Sequence, residues 1–201
     1  MKFGDFINLL HAGDTDSVSV EDIKNILLAH HHGLGDIDIH AIYYNEPTGG
    51  AMFRRTGEDR TSAYEDVFTH VEVTYCASLD GHSRQRRYAI TKELMHSFDP
   101  PEAWAKDMGA LNRLVVDIVN EPLPQDRTPE YVSEIDTRWK ALVALCPLRR
   151  RNDLVSTLQN EKSHPADISE AFGIPLWTVP YVVGEYFLKA RQDLIGESKI
   201  A

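Results

Sequence analysis

A chain of 201 residues with 42% hydrophobic and 26% charged side chains has the makeup of a globular protein, long enough for one core or one core with a smaller helical annex. Its formal net charge of −10 and pI near 5.3 argue against non-specific nucleic-acid binding, which needs a positive surface, although Arg149-Arg150-Arg151 makes a local basic patch. Cys76 and Cys146 have no C-x-x-C spacing, the N-terminus is too short and interrupted for a signal peptide, and no apolar run is long enough to span a bilayer, so the expectation is a cytoplasmic chain with reduced cysteines.

Residues 2–11 have the pattern of a short amphipathic helix, and Asp14–Ser17 is a polar break. Ser19 with Asp22 three residues on is a capping-box variant that starts a helix over 20–31, which Gly33 and Gly35 stop. His30-His31-His32 is read as a frayed helix end rather than a metal site, because consecutive residues on a helix point in different directions. Residues 36–45 alternate and are β-branched or aromatic, which predicts a strand. Residues 46–66 read as a long polar loop with a possible short strand at Ala51–Arg54; loops of that length are often functional. A second strand follows over 67–76, its register open and His70 read as an ordinary strand histidine. Asp80-Gly81 turns the chain.

The central helix is predicted from Arg84 to Phe98, with Tyr88, Thr91, Leu94, Met95 and Phe98 as its apolar stripe and Asp99-Pro100-Pro101 as its stop. Helices are expected over 102–119, 129–145 and 148–161, the second opened by Thr128-Pro129. A short helix over 166–172 ends at Gly173, and Pro175 opens a last one through Tyr186 or beyond. The pair 164–172 and 175–190 has the spacing of a helix-turn-helix. Its acidic tip, Asp167 and Glu170, would repel phosphate, so a helical cap on the core is the better account.

The chemistry sits in the central helix, where Lys92, Glu93 and His96 form Lys-Glu-x-x-His. In His-Glu-x-x-His, two histidines four apart share one helical face and hold a zinc ion, and the glutamate beside the first serves as general base to the zinc-bound water. Here the first ligand position holds a lysine, whose ammonium has no lone pair to give at neutral pH.

The order helix, strand, long loop, strand, then Arg84-Gln-Arg-Arg-Tyr-Ala-Ile-Thr-Lys-Glu-Leu-Met-His96 resembles the ImmA/IrrE family of zinc metallopeptidases. Glu134–Pro147 is similar to the later helix that carries that family's acidic ligand, and Ile168–Pro175 resembles its closing helical element. The resemblance implies an α+β, zincin-like fold: a small antiparallel sheet packed on the motif helix, then a helical C-terminal part. It implies a core over 1–147 and a C-terminal extension over 148–201. Glu93 takes the general-base position, His96 a zinc-ligand position and Glu134 another, with Asp136 as the alternative. The implied roles are regulatory, in stress response or mobile-element control, often beside a helix-turn-helix repressor.

Lys92 is the departure. A catalytic zinc site needs three protein ligands and an open position, and losing one should weaken binding by several powers of ten. One reading has the Lys92 ammonium filling the space of the metal as a surrogate cation and pairing with Glu134, with Glu93 as a second partner. The other has Lys92 in solvent and Glu134 on an exposed helix face. Three functions follow. A degenerate, non-hydrolytic member of the family would act by binding a protein. An active zinc endopeptidase would recruit a substitute ligand such as His70, His82 or Asp99. In an unrelated binding module the motif is chance, and Glu134 would lie far from His96.

Overall fold

The computed structural model describes residues 1–13, 16–43, 50–59, 68–100, 103, 114, 116–118, 120–160 and 163–196. Helix α1 (Phe3–Leu10) buries Phe3, Phe6, Ile7 and Leu10, the spacing of one helical face. Helix α2 (Val20–His30) starts at a capping box: Ser19 Oγ accepts from the Asp22 amide, and the Asp22 carboxylate accepts from the Ser19 amide at 2.8 Å. The three histidines that follow do not converge. The His31 ring packs edge-on against Phe98, 5.5 Å between centroids.

Strands β1 (Leu34–Ile42), β2 (Ala51–Asp59) and β3 (Phe68–Cys76) form a sheet in the order β1-β3-β2. β1 runs parallel to β3 and β2 antiparallel to it, so the sheet is mixed rather than antiparallel as expected. The physical reason lies in β3. It carries the buried Val71, Val73 and Cys76, and the most apolar strand takes the central place. Inserted between two strands of opposite direction, it must be parallel to one of them.

The expected 46–66 loop is also corrected at its centre, where the possible four-residue strand is a nine-residue one. β2 reads as polar because it is an edge: Met52, Arg54 and Thr56 face out, while Phe53 and Arg55 turn towards the protein. Residues 44–49 and 60–67 of that stretch lie outside the described residues.

The motif helix α3 (Ser83–Leu94) crosses the sheet and tightens into a 3-10 turn over Met95–Phe98 before Asp99-Pro100. Tyr88, Thr91, Leu94 and Met95 of its predicted stripe are buried. Most of the expected helix over 102–119 lies outside the described residues. Helix α4 (Pro129–Leu145) begins where expected, with Thr128 Oγ1 accepting from the Tyr131 amide, and packs against α3.

The C-terminal part adds α5 (Leu148–Gln159), α6 (Pro165–Phe172), α7 (Val179–Val183) and α8 (Glu185–Gly196). The single last helix expected after Pro175 is instead a 3-10 turn over Leu176–Thr178 and two helices broken at Gly184. Arg151 accounts for that break: its guanidinium donates hydrogen bonds to the carbonyls of Val182, Val183 and Gly184, which ends α7. Ile168, Phe172, Val179, Val182, Phe187 and Leu194 join one hydrophobic cluster with α1, the sheet, α3 and α4. Among the described residues no helix is long and apolar enough to cross a membrane.

The basic phrase that enters α3 is structural. Arg84 bonds Ser169 Oγ, Arg86 bonds Asp80 at 2.7 Å, and Arg87 donates to the carbonyls of Val18 and Phe172. Arg87 also explains Gly173. That residue sits at φ +57°, and the Arg87 guanidinium occupies the space where a Cβ would project. α6 is thus tied to the motif helix, and the second element of the helix-turn-helix spacing is interrupted at Gly184.

Candidate functional site

Three elements meet at the end of α3. The last turn of α3 supplies Lys92 and Glu93, and the 3-10 turn after it supplies His96 and leads to Asp99. α4 supplies Ser133, Glu134 and Lys140. Ser133 and Lys140 are two helical turns apart and so share the face that α4 turns to α3. The inner side of β2 supplies the Phe53 amide and Arg55.

Lys92 Nζ lies 2.5 Å from Glu134 Oε1 and 3.0 Å from Glu93 Oε1. The other oxygen of each carboxylate faces His96: its Nε2 is 3.3 Å from Glu134 Oε2 and 3.8 Å from Glu93 Oε2. Glu93 Oε2 also accepts from the Phe53 amide at 3.0 Å, on the β2 edge away from β3. Behind His96, Nδ1 lies 2.5 Å from Asp99 Oδ2, which also takes the Ser133 hydroxyl at 2.5 Å, while Lys140 Nζ stands 3.5 Å from Asp99 Oδ1. The Phe53 ring covers the imidazole at 5.8 Å between centroids. Lys92, Glu134 and His96 side chains are 15, 14 and 17% exposed, so these charges are largely removed from water.

The electrostatics follow from burial and pairing. Burial pulls the Lys92 ammonium down, but the charges and hydrogen bonds of Glu93 and Glu134 outweigh it, and the group titrates above its ordinary value. Burial likewise opposes the charged form of His96, yet its bonds to Asp99 and Glu134 raise it to about 9. Glu134 would be pushed up by burial; hydrogen bonds from His96 and the charge of Lys92 instead bring it down to about 2. Asp99 is held below the carboxylate range despite its burial, chiefly by the bond to His96. Four basic side chains, Lys92, His96, Lys140 and Arg55, thus meet the carboxyl groups of Glu93, Asp99 and Glu134.

The structure brings Lys92, Glu93, His96 and Glu134 together, with Lys92 turned inward rather than to solvent. Glu134, not Asp136, reaches the cluster; two residues further on, Asp136 points about 200° round the helix. Of the substitute ligands considered, Asp99 is present but engages the Nδ1 side of His96, away from Glu134. His82 caps the far end of α3, ten residues and ~15 Å from Lys92. The His70 ring packs over Gly35 and Gly57 at the start of β3. Ser133, Lys140 and the Phe53 amide were not legible as site groups; the seven-residue spacing of Ser133 and Lys140 on the Glu134 helix was the only available signal.

As they stand, these side chains do not fit a zinc ion. Lys92 places three donors where the first ligand would offer a lone pair, and an imidazolium hydrogen-bonded on both nitrogens has none to give. Among the described residues, no group of three or more His, Cys, Asp and Glu is arranged to hold a metal. No protein-family model matches the chain, and no curated protein or solved structure matches it. The fold class is α+β.

Proposed function

We propose that this chain is a degenerate, ImmA/IrrE-like metallopeptidase-fold protein that does not hydrolyse peptides and acts as a regulator by binding a protein. One observation carries the reading: the Lys92 ammonium bridges Glu93 and Glu134, 3.0 and 2.5 Å away, so a fixed cation of the chain stands among the groups that would otherwise serve a metal. The carboxylate in the general-base position is engaged by a lysine and by the Phe53 amide. Support for a binding role comes from the aromatic surface beside the motif helix. Trp177, Tyr181 and Tyr186 are 57, 52 and 70% exposed, and Trp177 packs edge-on against Tyr88 of α3. Such side chains are enriched where proteins meet. A helix-turn-helix repressor is the partner type the family resemblance suggests.

A second reading, a zinc endopeptidase with an altered ligand set, draws on the Asp99–His96 pair, since a carboxylate on the far ring nitrogen is how metal-binding imidazoles are oriented. Elemental mass spectrometry of purified wild type and Lys92→His separates the two. The expected outcome is no stoichiometric zinc in wild type and about one zinc per chain in Lys92→His. Stoichiometric zinc in wild type would overturn the non-hydrolytic reading, and zinc in neither protein would overturn the metallopeptidase likeness of the site.

A further inference from the structure

The basic triplet Arg149-Arg150-Arg151 divides between two tasks. Arg151 is buried and caps α7. Arg149 and Arg150 instead line an open cleft of about 570 Å³, together with Arg191 from α8, His11 from the end of α1, and Asp16 and Asp153. The cleft is at the start of α5, where Pro147 provides no side-chain cap and the first turn carries no acidic residue. A helix start is electropositive, and acidic groups or anions are what stabilise it. Here arginines stand there instead, in a chain whose net charge is −10.

The guanidiniums are also incompletely satisfied. Nε of Arg150 and Nε of Arg191 are both buried without a hydrogen-bond partner. Burial lowers the Arg191 guanidinium from its ordinary value, and no carboxylate offsets that. His11 contributes no compensating charge: its Nε2 is bonded to the Ala144 carbonyl at 2.8 Å, and burial keeps it below its usual range. Arg150 and Arg191 thus bring to the cleft beside a helix start two buried Nε donors that no described residue satisfies.

Arg191 and Leu148 are shared with a second pocket of about 370 Å³, whose other walls include Leu188 and Ile195. A polar, cationic cleft thus opens beside an apolar one, with a guanidinium between them. Pockets of this size take small molecules.

We propose that this double cleft binds a phosphorylated small molecule, its phosphate between Arg150 and Arg191 at the start of α5 and its apolar body against Leu188 and Ile195. The site is beyond the far end of α4 from Glu134, which lies ~16 Å from that end along the helix, and is separate from the Lys92 cluster.

The test is an NMR titration of ¹⁵N-labelled full chain in phosphate-free buffer, following the Arg Nε–H signals, with phenyl phosphate and inorganic phosphate as probes. Phenyl phosphate should saturate the Arg150 and Arg191 signals with a dissociation constant below about 1 mM, and inorganic phosphate should bind at least about tenfold more weakly. Arg191→Gln and Arg150→Gln should each weaken phenyl phosphate by about tenfold or more. Arg149→Glu, at an exposed position and with its fold checked by circular dichroism, should weaken both probes, and Leu188→Asn should erase only the advantage of phenyl phosphate. No saturation by either probe overturns the proposal. So does binding that Arg149→Glu leaves unchanged, equal affinity for the two probes, or tighter binding of a short single-stranded oligonucleotide, which would assign the cleft to a phosphodiester backbone.

Discussion

Helix α4 connects a buried and a half-buried group of charge that solve the same problem in opposite ways. Near its start, six ionisable side chains of Lys92, Glu93, His96, Asp99, Glu134 and Lys140 pair among themselves over 2.5–3.8 Å. Just past its end, Arg150 and Arg191 bury Nε atoms that no described residue bonds. Desolvating a charge is costly in both places, and pairing offsets it only in the first. The comparison teaches where to look for ligands. A cluster whose charges pair within the chain has no unmet demand for an external ion. The arginine cleft is left with such a demand.

The largest effect should come from breaking the closed cluster. Lys92→Ala removes the ammonium that bridges Glu93 and Glu134 and leaves the two buried carboxylates with His96 alone between them. The expected loss is about 3–5 kcal/mol of unfolding free energy in urea melts, and the Lys92→Met/Glu134→Leu double variant should recover most of it. Unchanged stability in Lys92→Ala would mean that the ammonium is not buried against Glu134.

A smaller effect should appear with pH. His96 titrates at about 9 in the folded chain against 6.5 in its absence, so its contribution is complete below pH 6.5 and is lost as pH rises through about 9. Glu134 is displaced the other way, to about 2 from 4.5; its contribution holds above pH 4.5 and is lost as pH falls towards 2. The His96 contribution to unfolding free energy should therefore fall by on the order of 3 kcal/mol between about pH 6.5 and 9.5, while His11 and His31, both held below their usual range by burial, withdraw stability as pH falls below 6.5. His96→Gln should flatten the alkaline limb; an unaltered limb in that variant would assign the loss to another group.

The sequence carried those parts of the fold in which local signals agree. The Ser19–Asp22 box, the Thr128-Pro129 start of α4 and the apolar stripe of α3 each join a cap or a stop to a helical period, and each element is found there. β2 was hidden because an edge strand with charged residues lacks the two-residue apolar alternation. Strand order was not legible either, since direction in a sheet depends on which strand takes the central place. At the site, Lys92, Glu93 and His96 are neighbours along one helix and can be read from spacing. Glu134 required a family pattern, and Ser133, Lys140 and the Phe53 amide meet them only through the packing of α4 and β2. The end of α7 was misjudged for the same reason: Arg151 reaches it from 31 residues away.

The smallest effect has the most informative sign. Arg150→Gln keeps much of the stem's packing and removes a charge whose Nε finds no partner. Replacing a paired buried cation destabilises, whereas replacing an unpaired one should leave stability within about 0.5 kcal/mol or raise it slightly, because the desolvation cost is relieved and no bond is broken. Thermal melts in phosphate-free buffer should then place Arg150→Gln at or just above wild type while Lys92→Ala lies well below it. A loss of 2 kcal/mol or more in Arg150→Gln would show that this guanidinium supports the fold, and the contrast between a closed and an open charge cluster would fail. If the sign holds, the arginine cleft is maintained at no benefit to folding, which is the physical signature of a group kept for something outside the chain.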